Sequence, residues 1–122
     1  WLDTFAVRYT ADLSGVDEIS LMLLDVLSGF DELRICTGYE VDDQRLTDYD
    51  PTQLTGATPL YETLPGWSEE ISECTTFDAL PANARAYVAR VEELLGRPVS
   101  IVSIGPDRDQ TIIRNTQIED LA

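Results

Sequence analysis

The stretch that decides the fold reads Ile19-Ser20-Leu21-Met22-Leu23-Leu24 and is followed by Asp25. An apolar run of this length is typical of a strand that is buried on both faces, as in the middle of a parallel sheet. A buried helix is the alternative, but the run is too short to favour a helix. The sequence therefore predicts that residues 18–24 form a central strand of an α/β sheet.

Hydrophobic spacing and turn residues place further elements on both sides of this strand. A helix is predicted over 3–13, ended by Gly15, and a second helix begins at Pro81 and is ended by Gly96. The remaining predictions are strands over 33–40, 45–49, 59–64 and 99–104, a hairpin turn at Asp42-Asp43, a loop over 50–57, a short unassigned stretch over 111–113 and a polar tail over 115–122. Because no repeat or linker divides the chain, we expect one α/β unit over residues 1–122, with a mixed sheet and flanking helices.

Composition limits the class of protein. A chain of 122 residues with 43% hydrophobic content can form one core. No run of 18 apolar residues occurs and the first residues lack the features of a signal peptide, so we expect no membrane span and no export. Cys36 and Cys74 match no metal-binding spacing, and we expect both to be reduced in the cytoplasm.

The charge of the chain excludes one class of partner. Asp and Glu number 23 against 8 basic residues, all of them Arg, which gives a formal net charge of −15. A free-standing nucleic-acid binder needs a basic face, so we expect no nucleic-acid partner. The acidity fits a strongly solvated surface, a halotolerant source or a missing, more basic partner segment, and the charge does not choose among these.

The absence of histidine and lysine excludes several kinds of active site from this chain. A phosphate-binding loop of the Walker type needs a lysine, as does Schiff-base chemistry, and imidazole acid–base catalysis needs a histidine. The acidic residues Asp42, Asp43, Asp48 and Asp50 do not have the spacing of a calcium loop. We therefore expect neither a catalytic residue nor a metal ligand in this chain.

Two predicted strand ends carry the candidate binding residues. Asp25 follows the predicted central strand, and Ser103, Ile104 and Gly105 end a later β-branched strand. Open α/β sheets bind ligands beyond the carboxyl ends of their strands, where a carboxylate can accept two parallel hydrogen bonds and small residues let a ligand approach the backbone. The alternatives are that Asp25 caps the following turn and that Gly105 begins an ordinary Gly-Pro turn.

Four segments, spread over nearly the whole chain, occur in the order found in a known family. They are Trp1-Leu2-Asp3-Thr4-Phe5-Ala6-Val7-Arg8, Leu24-Asp25-Val26-Leu27-Ser28-Gly29-Phe30-Asp31-Glu32, Pro59-Leu60-Tyr61-Glu62-Thr63-Leu64-Pro65-Gly66-Trp67 and Ser103-Ile104-Gly105-Pro106-Asp107-Arg108. The first resembles the segment after the arginine-rich substrate loop of adenylosuccinate synthetases. The others resemble that family's Lys-Leu-Asp-Val-Leu, Tyr-Glu-x-x-Pro-Gly-Trp and Ser-x-Gly-Pro-Asp-Arg segments.

The resemblance implies the C-terminal part of an enzyme with a fold like that of P-loop NTPases. Such an enzyme joins IMP and L-aspartate to adenylosuccinate, with GTP cleaved to GDP and phosphate, and it uses Mg²⁺ and works as a cytoplasmic homodimer. A base removes the N1 proton of IMP, O6 is phosphorylated, and aspartate displaces the phosphate. By the same resemblance, the residues that hold the guanine base of GTP are Leu23, Leu24, Asp25, Ser103, Ile104 and Gly105, with Asp25 accepting from N1 and the 2-amino group.

Two departures from the family pattern leave alternatives open. Leu23 stands where the family has a lysine whose stem lies against the guanine, so apolar contact is kept and the charge is lost. The phosphate loop, catalytic Asp and His, Mg²⁺ ligands and arginine loop are missing, which implies a fragment with no activity alone. The other readings are a non-catalytic nucleotide-binding or interaction module with altered base preference, and an acidic structural domain without a ligand.

Overall fold

Two small mixed sheets packed with helices form the computed structural model, which describes residues 1–22 and 24–114. The helices are α1 (Thr4–Ser14), α2 (Pro51–Leu54) and α3 (Ala82–Leu95). The strands are β1 (Leu2–Asp3), β2 (Ile19–Leu21), β3 (Glu32–Val41), β4 (Gln44–Arg45), β5 (Thr58–Pro65), β6 (Val99–Ser103) and β7 (Thr111–Ile113). Two 3-10 turns span Leu24–Leu27 and Phe77–Ala79. The predicted polar tail over 115–122 lies outside the described residues.

The first sheet is built around the long strand β3. β1 pairs with it in parallel, while β5 and β4 pair with it antiparallel. The predicted hairpin turn is confirmed, because Asp42 and Asp43 both have positive φ, at 51° and 66°. Two consecutive residues of this kind form the turn that matches the twist of a two-stranded hairpin, and Asp tolerates that conformation.

The second sheet places two strand ends side by side. β6 lies in the middle, with β2 parallel to it on one side and β7 antiparallel on the other. Leu21 lies opposite Val102, so the chain leaves β2 and β6 at the same edge of the sheet. This parallel pair is what positions the candidate site.

The two main helices begin and end close to where the sequence predicts. At the start of α1 the Asp3 carboxylate accepts a hydrogen bond from the Ala6 backbone N–H, and Gly15 ends the helix with φ 68°. α3 ends at Gly96 with φ 66°. Pro81 is the residue that precedes α3 and not its first helical residue, a shift of one position that reflects the extended ψ of 149° at that proline.

One core joins the two sheets through α3. The helix contributes a continuous buried stripe that packs against β3 of the first sheet and β6 of the second. The core residues of these three elements are Leu33, Ile35, Ala84, Tyr87, Val88, Val91, Leu95, Val99 and Val102. Apolar side chains at helical spacing on one face explain why α3 forms here, since most helical stability comes from packing such a face.

The predicted central strand over 18–24 is wrong in length and position. β2 contains only Ile19–Leu21, and among the described residues it pairs only with β6, so it lies at a sheet edge. The apolar run turns at Leu24, which is 1% exposed within the first 3-10 turn. Of the described residues of the run only Leu24 is buried, because the chain folds inward there, whereas Ile19 and Leu21 are half-buried and Met22 is 65% exposed.

Three further predictions need correction. The single mixed sheet is two mixed sheets in the part of the chain that is described. The returning strand predicted over 45–49 is the two-residue β4, because the long partner of β3 is β5. The loop over 50–57 contains α2, which forms because the Asp50 carboxylate accepts from the Thr52 N–H and proline follows at the first helical position.

The described residues give two findings on thiols and membrane spans. Cys36, which is buried, and Cys74, which is half-buried, are both free cysteines, as predicted. Within 1–22 and 24–114, no helix has the length and apolar content needed to cross a bilayer.

An ion pair fastens α3 to β5 outside the core. The Arg90 guanidinium donates from Nε and Nη2 to the two carboxylate oxygens of Glu62, at 2.6 and 2.8 Å, and from Nη1 to Glu93 at 3.0 Å. This hydrogen bonding holds the pKa of Glu62 below its ordinary value. The side chains of Arg90 and Glu62 are about one-third exposed, at 34% and 32%, so solvent screens much of the attraction.

Removing the Glu62 charge tests this contact. We expect Glu62→Gln to lower the free energy of unfolding at pH 7 by about 0.5 kcal/mol, the size typical of a partly exposed pair. The pKa of Glu62 is lower in the folded chain than in the unfolded chain. The stability lost in Glu62→Gln is therefore fully present at pH values above the unfolded-state pKa, and it vanishes as the pH falls through the folded-state pKa. Urea unfolding at several pH values measures this loss of stability. The matched control, Glu93→Gln, should cost less, and an equal cost would contradict the assignment.

Candidate ligand site at the ends of two parallel strands

The carboxyl ends of β2 and β6 bring the predicted site residues to one edge. The 3-10 turn Leu24–Leu27, here called the Asp25 turn, follows β2 and contacts β6. Ser103 is the last residue of β6, and Ile104 and Gly105 follow it. Of the residues predicted from sequence, the structure thus brings together Leu24, Asp25, Ser103, Ile104 and Gly105, while Leu23 lies outside the described residues.

The Asp25 turn presents a carboxylate oxygen without a partner. Leu24 is buried in the core and fixes the start of the turn, and the Ser28 backbone N–H donates to the Asp25 carbonyl at 3.1 Å. Asp25 Oδ1 is buried and accepts no hydrogen bond from the described residues. Capping would require a carboxylate oxygen of Asp25 to accept from a backbone N–H, and Oδ1 accepts none from the described residues. A buried acceptor without a donor is unfavourable, so a ligand with N–H groups would be stabilised at this place.

The chain after β6 makes a closed turn. The Ser103 hydroxyl donates to the Gly105 carbonyl at 3.1 Å, and the Ile104 N–H donates to the Gln110 carbonyl at 2.8 Å. The Gln110 N–H in turn donates to the Asp107 carbonyl at 3.0 Å. These bonds close the loop over 105–109 beside the Asp25 turn.

Gln110 is a residue of this site that sequence reasoning missed. Its side-chain oxygen accepts from the Asp107 N–H at 3.1 Å, and its side-chain nitrogen donates to the Ser72 carbonyl at 3.3 Å. A Cβ on Gly105 would clash with the Gln110 carboxamide, which explains why glycine stands there. A glutamine five residues after a glycine has no recognisable pattern, so nothing in the sequence alone indicates this contact.

The groups at this edge can accept and donate hydrogen bonds to a ligand. A carboxylate acceptor and a turn of small residues and backbone groups follow the two strands at the same sheet edge, which suits a flat ligand that carries neighbouring N–H donors. Across the described residues, no group of three His, Cys, Asp or Glu side chains could hold a metal ion.

Comparison with known proteins identifies the family. The family model for adenylosuccinate synthetase matches residues 1–112. The chain belongs to the adenylosuccinate synthetase family. The adenylosuccinate synthetase of Pediococcus pentosaceus is 46% identical across 98% of this chain, and that of Mycobacterium tuberculosis is 47% identical across 98%. The adenylosuccinate synthetase of Nitratidesulfovibrio vulgaris is 51% identical across 93%.

A solved structure agrees with the fold. The fully ligated adenylosuccinate synthetase from Plasmodium falciparum superposes with a TM-score of 0.89 at 33% identity, over 93% of this chain. The chain spans only about 28% of the length of that protein and of the Pediococcus pentosaceus relative. The family is thus established, and the α/β architecture belongs to one part of a synthetase.

Coupling between Gly105 and Gln110 is testable on the isolated chain. Gly105→Ala should displace the Gln110 side chain and lower the free energy of unfolding by about 1–2 kcal/mol, because two hydrogen bonds are lost. Gln110→Ala should cost a similar amount for the same reason. The double variant should cost little more than either single variant, since both remove the same bonds. Urea unfolding of the three variants measures this, and strictly additive costs would refute the coupling.

Proposed function

We propose that this chain is the C-terminal, guanine-binding part of an adenylosuccinate synthetase. The whole enzyme would form adenylosuccinate, GDP and phosphate from IMP, L-aspartate and GTP. The observation that carries the proposal is the buried Oδ1 of Asp25, which accepts no hydrogen bond from the described residues and follows one of two parallel strands that end at a shared edge with the turn at Gly105. Ligands of open α/β sheets bind at such an edge.

The proposed roles follow from the donors and acceptors of guanine. N1–H and the 2-amino group are neighbouring donors, and the two oxygens of one carboxylate can accept both bonds in parallel, so this role falls to Asp25. Ser103, Ile104 and Gly105 line the other side of the base through backbone and small side chains. Leu24 holds the turn in place by its burial. By sequence, Leu23 occupies the position where the family has a lysine, and we include it among the residues assigned to the base.

The absence of lysine and histidine from this sequence supports the C-terminal placement. Without lysine or histidine, this chain has neither the lysine of a phosphate loop nor an imidazole base, so we assign the chemistry to the rest of the enzyme. The phosphates of GTP, Mg²⁺, IMP and aspartate would bind there. Residues 1–122 would form a single α/β unit that is inactive alone, within an enzyme that works as a homodimer in the cytoplasm, where the two free thiols would stay reduced.

A second candidate function rests on Leu23. The loss of the family's lysine removes a charge beside the base, which favours a non-catalytic nucleotide-binding or interaction module with altered base preference. Nucleotide titration separates the two candidates, because this module would not discriminate guanine from adenine as a synthetase does.

Segment exchange tests the placement. The chain spans 28% of the length of the Pediococcus pentosaceus synthetase, and in the first chimera it would replace a C-terminal segment of that size. We expect the chimera to form adenylosuccinate, measured spectrophotometrically, whereas the isolated chain should form none. The control chimera has the N-terminal 28% replaced instead and should be inactive. Activity in the control but not in the first chimera would overturn the C-terminal placement.

Asp25→Asn tests the base contact in the same chimera. The amide exchanges one acceptor oxygen for a donor, so the KM for GTP should rise roughly 10- to 100-fold, as expected for a lost charged hydrogen bond. Xanthosine triphosphate carries a carbonyl in place of the 2-amino group and should become the better substrate. Asp31→Asn, on an exposed aspartate of the same loop, is the matched control and should leave the preference unchanged. An unaltered preference in Asp25→Asn would reject its assigned role.

A further inference from the structure

The residues after Asp25 are held by a tryptophan from another part of the chain. The Trp67 indole Nε1–H donates to the Ser28 hydroxyl at 2.9 Å, and the Gly29 N–H donates to the Trp67 carbonyl at 2.8 Å. The Ser28 N–H donates to the Asp25 carbonyl at 3.1 Å. Two consecutive residues thus connect Trp67 directly to the backbone of Asp25.

The glycine before Trp67 brings the two segments into contact. The Gly66 N–H donates to the Asp31 carbonyl at 2.8 Å, and a Cβ on Gly66 would clash with the Phe30 carbonyl. Only a residue without a side chain permits this approach of two backbones. The Asn83 side chain donates to the Gly66 carbonyl at 2.8 Å, which ties the junction to α3.

The anchor of this junction lies in the core. Trp67 is 3% exposed, and its ring packs edge-on against the buried Tyr87 of α3 with centroids 6.1 Å apart. An indole buried in this way has one dominant orientation, and its N–H needs a partner, which Ser28 provides. Because Trp67 is fixed in the core, its hydrogen bond to Ser28 restricts the motion of the residues after the Asp25 turn.

We propose that Trp67 and Ser28 are positioning residues that hold the Asp25 carboxylate in the orientation for guanine recognition. This inference rests on the proposed function of Asp25. Neither residue touches the base, and both act through the backbone of the Asp25 turn. A binding group must keep its geometry to within a fraction of an ångström for two parallel hydrogen bonds to form together. Loss of the Trp67–Ser28 bond should therefore weaken the bonds of Asp25 before it affects the fold.

Amide hydrogen exchange on the 122-residue chain tests whether the Trp67–Ser28 hydrogen bond restrains the residues after the Asp25 turn. Ser28→Ala keeps the backbone N–H and removes the hydroxyl, so exchange of the Gly29 amide should become about five- to tenfold faster, as for one lost hydrogen bond. Core amides such as that of Val88 should change less. Ser28→Thr keeps a hydroxyl and should restore slow exchange. Ser14→Ala, at an exposed serine at the end of α1, is the matched control.

Base discrimination in the active chimera tests the functional part. Inosine triphosphate lacks the 2-amino group, so it loses one bond to Asp25 and serves as the reference nucleotide. Ser28→Ala and Trp67→Phe should each raise the KM for GTP about fivefold with kcat unchanged, and should raise the KM for inosine triphosphate less. The double variant should resemble the single variants, because both remove one bond.

The possible outcomes separate this inference from the proposed function. If Asp25→Asn alters the GTP preference but Ser28→Ala does not, the positioning role is overturned and the base contact stands. An equal rise for both nucleotides in Ser28→Ala also overturns it, because a general loss of structure would act in that way. If Asp25→Asn has no effect, the base-binding assignment fails and the inference falls with it. Should Trp67→Phe fail to fold, Ser28→Ala and its threonine rescue decide the matter.

Discussion

The parallel pairing of β2 with β6 is the constraint on which the candidate site depends. Three residues of β2 lie beside β6, and the register that sets Leu21 opposite Val102 fixes where both chains leave the sheet. The inward turn at Leu24 follows β2 and the closed loop beyond Gly105 follows β6, so this register sets where both begin. A shift of one residue would move Asp25 away from Ser103 and reverse which side chains enter the core.

The position of this site was largely predictable from sequence, while its supporting contacts were not. The apolar runs before Asp25 and Gly105 indicate that strands end nearby, although β2 already ends at Leu21, and the ends of parallel strands meet at one edge. Gln110 and Ser28 are ordinary polar residues whose roles arise only when distant loops close on them. The short length of β2 could not be predicted either. A run of apolar residues has the same sequence pattern whether it forms a strand covered on both faces or bends inward at its end.

The division into two sheets has a similar cause. Periodicity assigned strand character correctly to β3, β5 and β6, but it carries no information on which strand lies next to which. In the structure both sheets pack against the same apolar stripe of α3. Its ion pair with β5 adds only a little, since a partly exposed pair contributes far less than the burial of the helix face.

The edge position of β2 has a consequence for how copies of this chain behave in solution. A strand whose second side is not paired by any described residue is a template for intermolecular pairing, and half-buried Ile19 and Leu21 are the first and last residues of this strand. The net charge of −15 opposes such pairing through repulsion between copies. At an ionic strength of 0.1 M this repulsion is screened beyond about 10 Å. We therefore expect added salt to weaken the repulsion that opposes pairing of this strand edge between copies of the 122-residue chain.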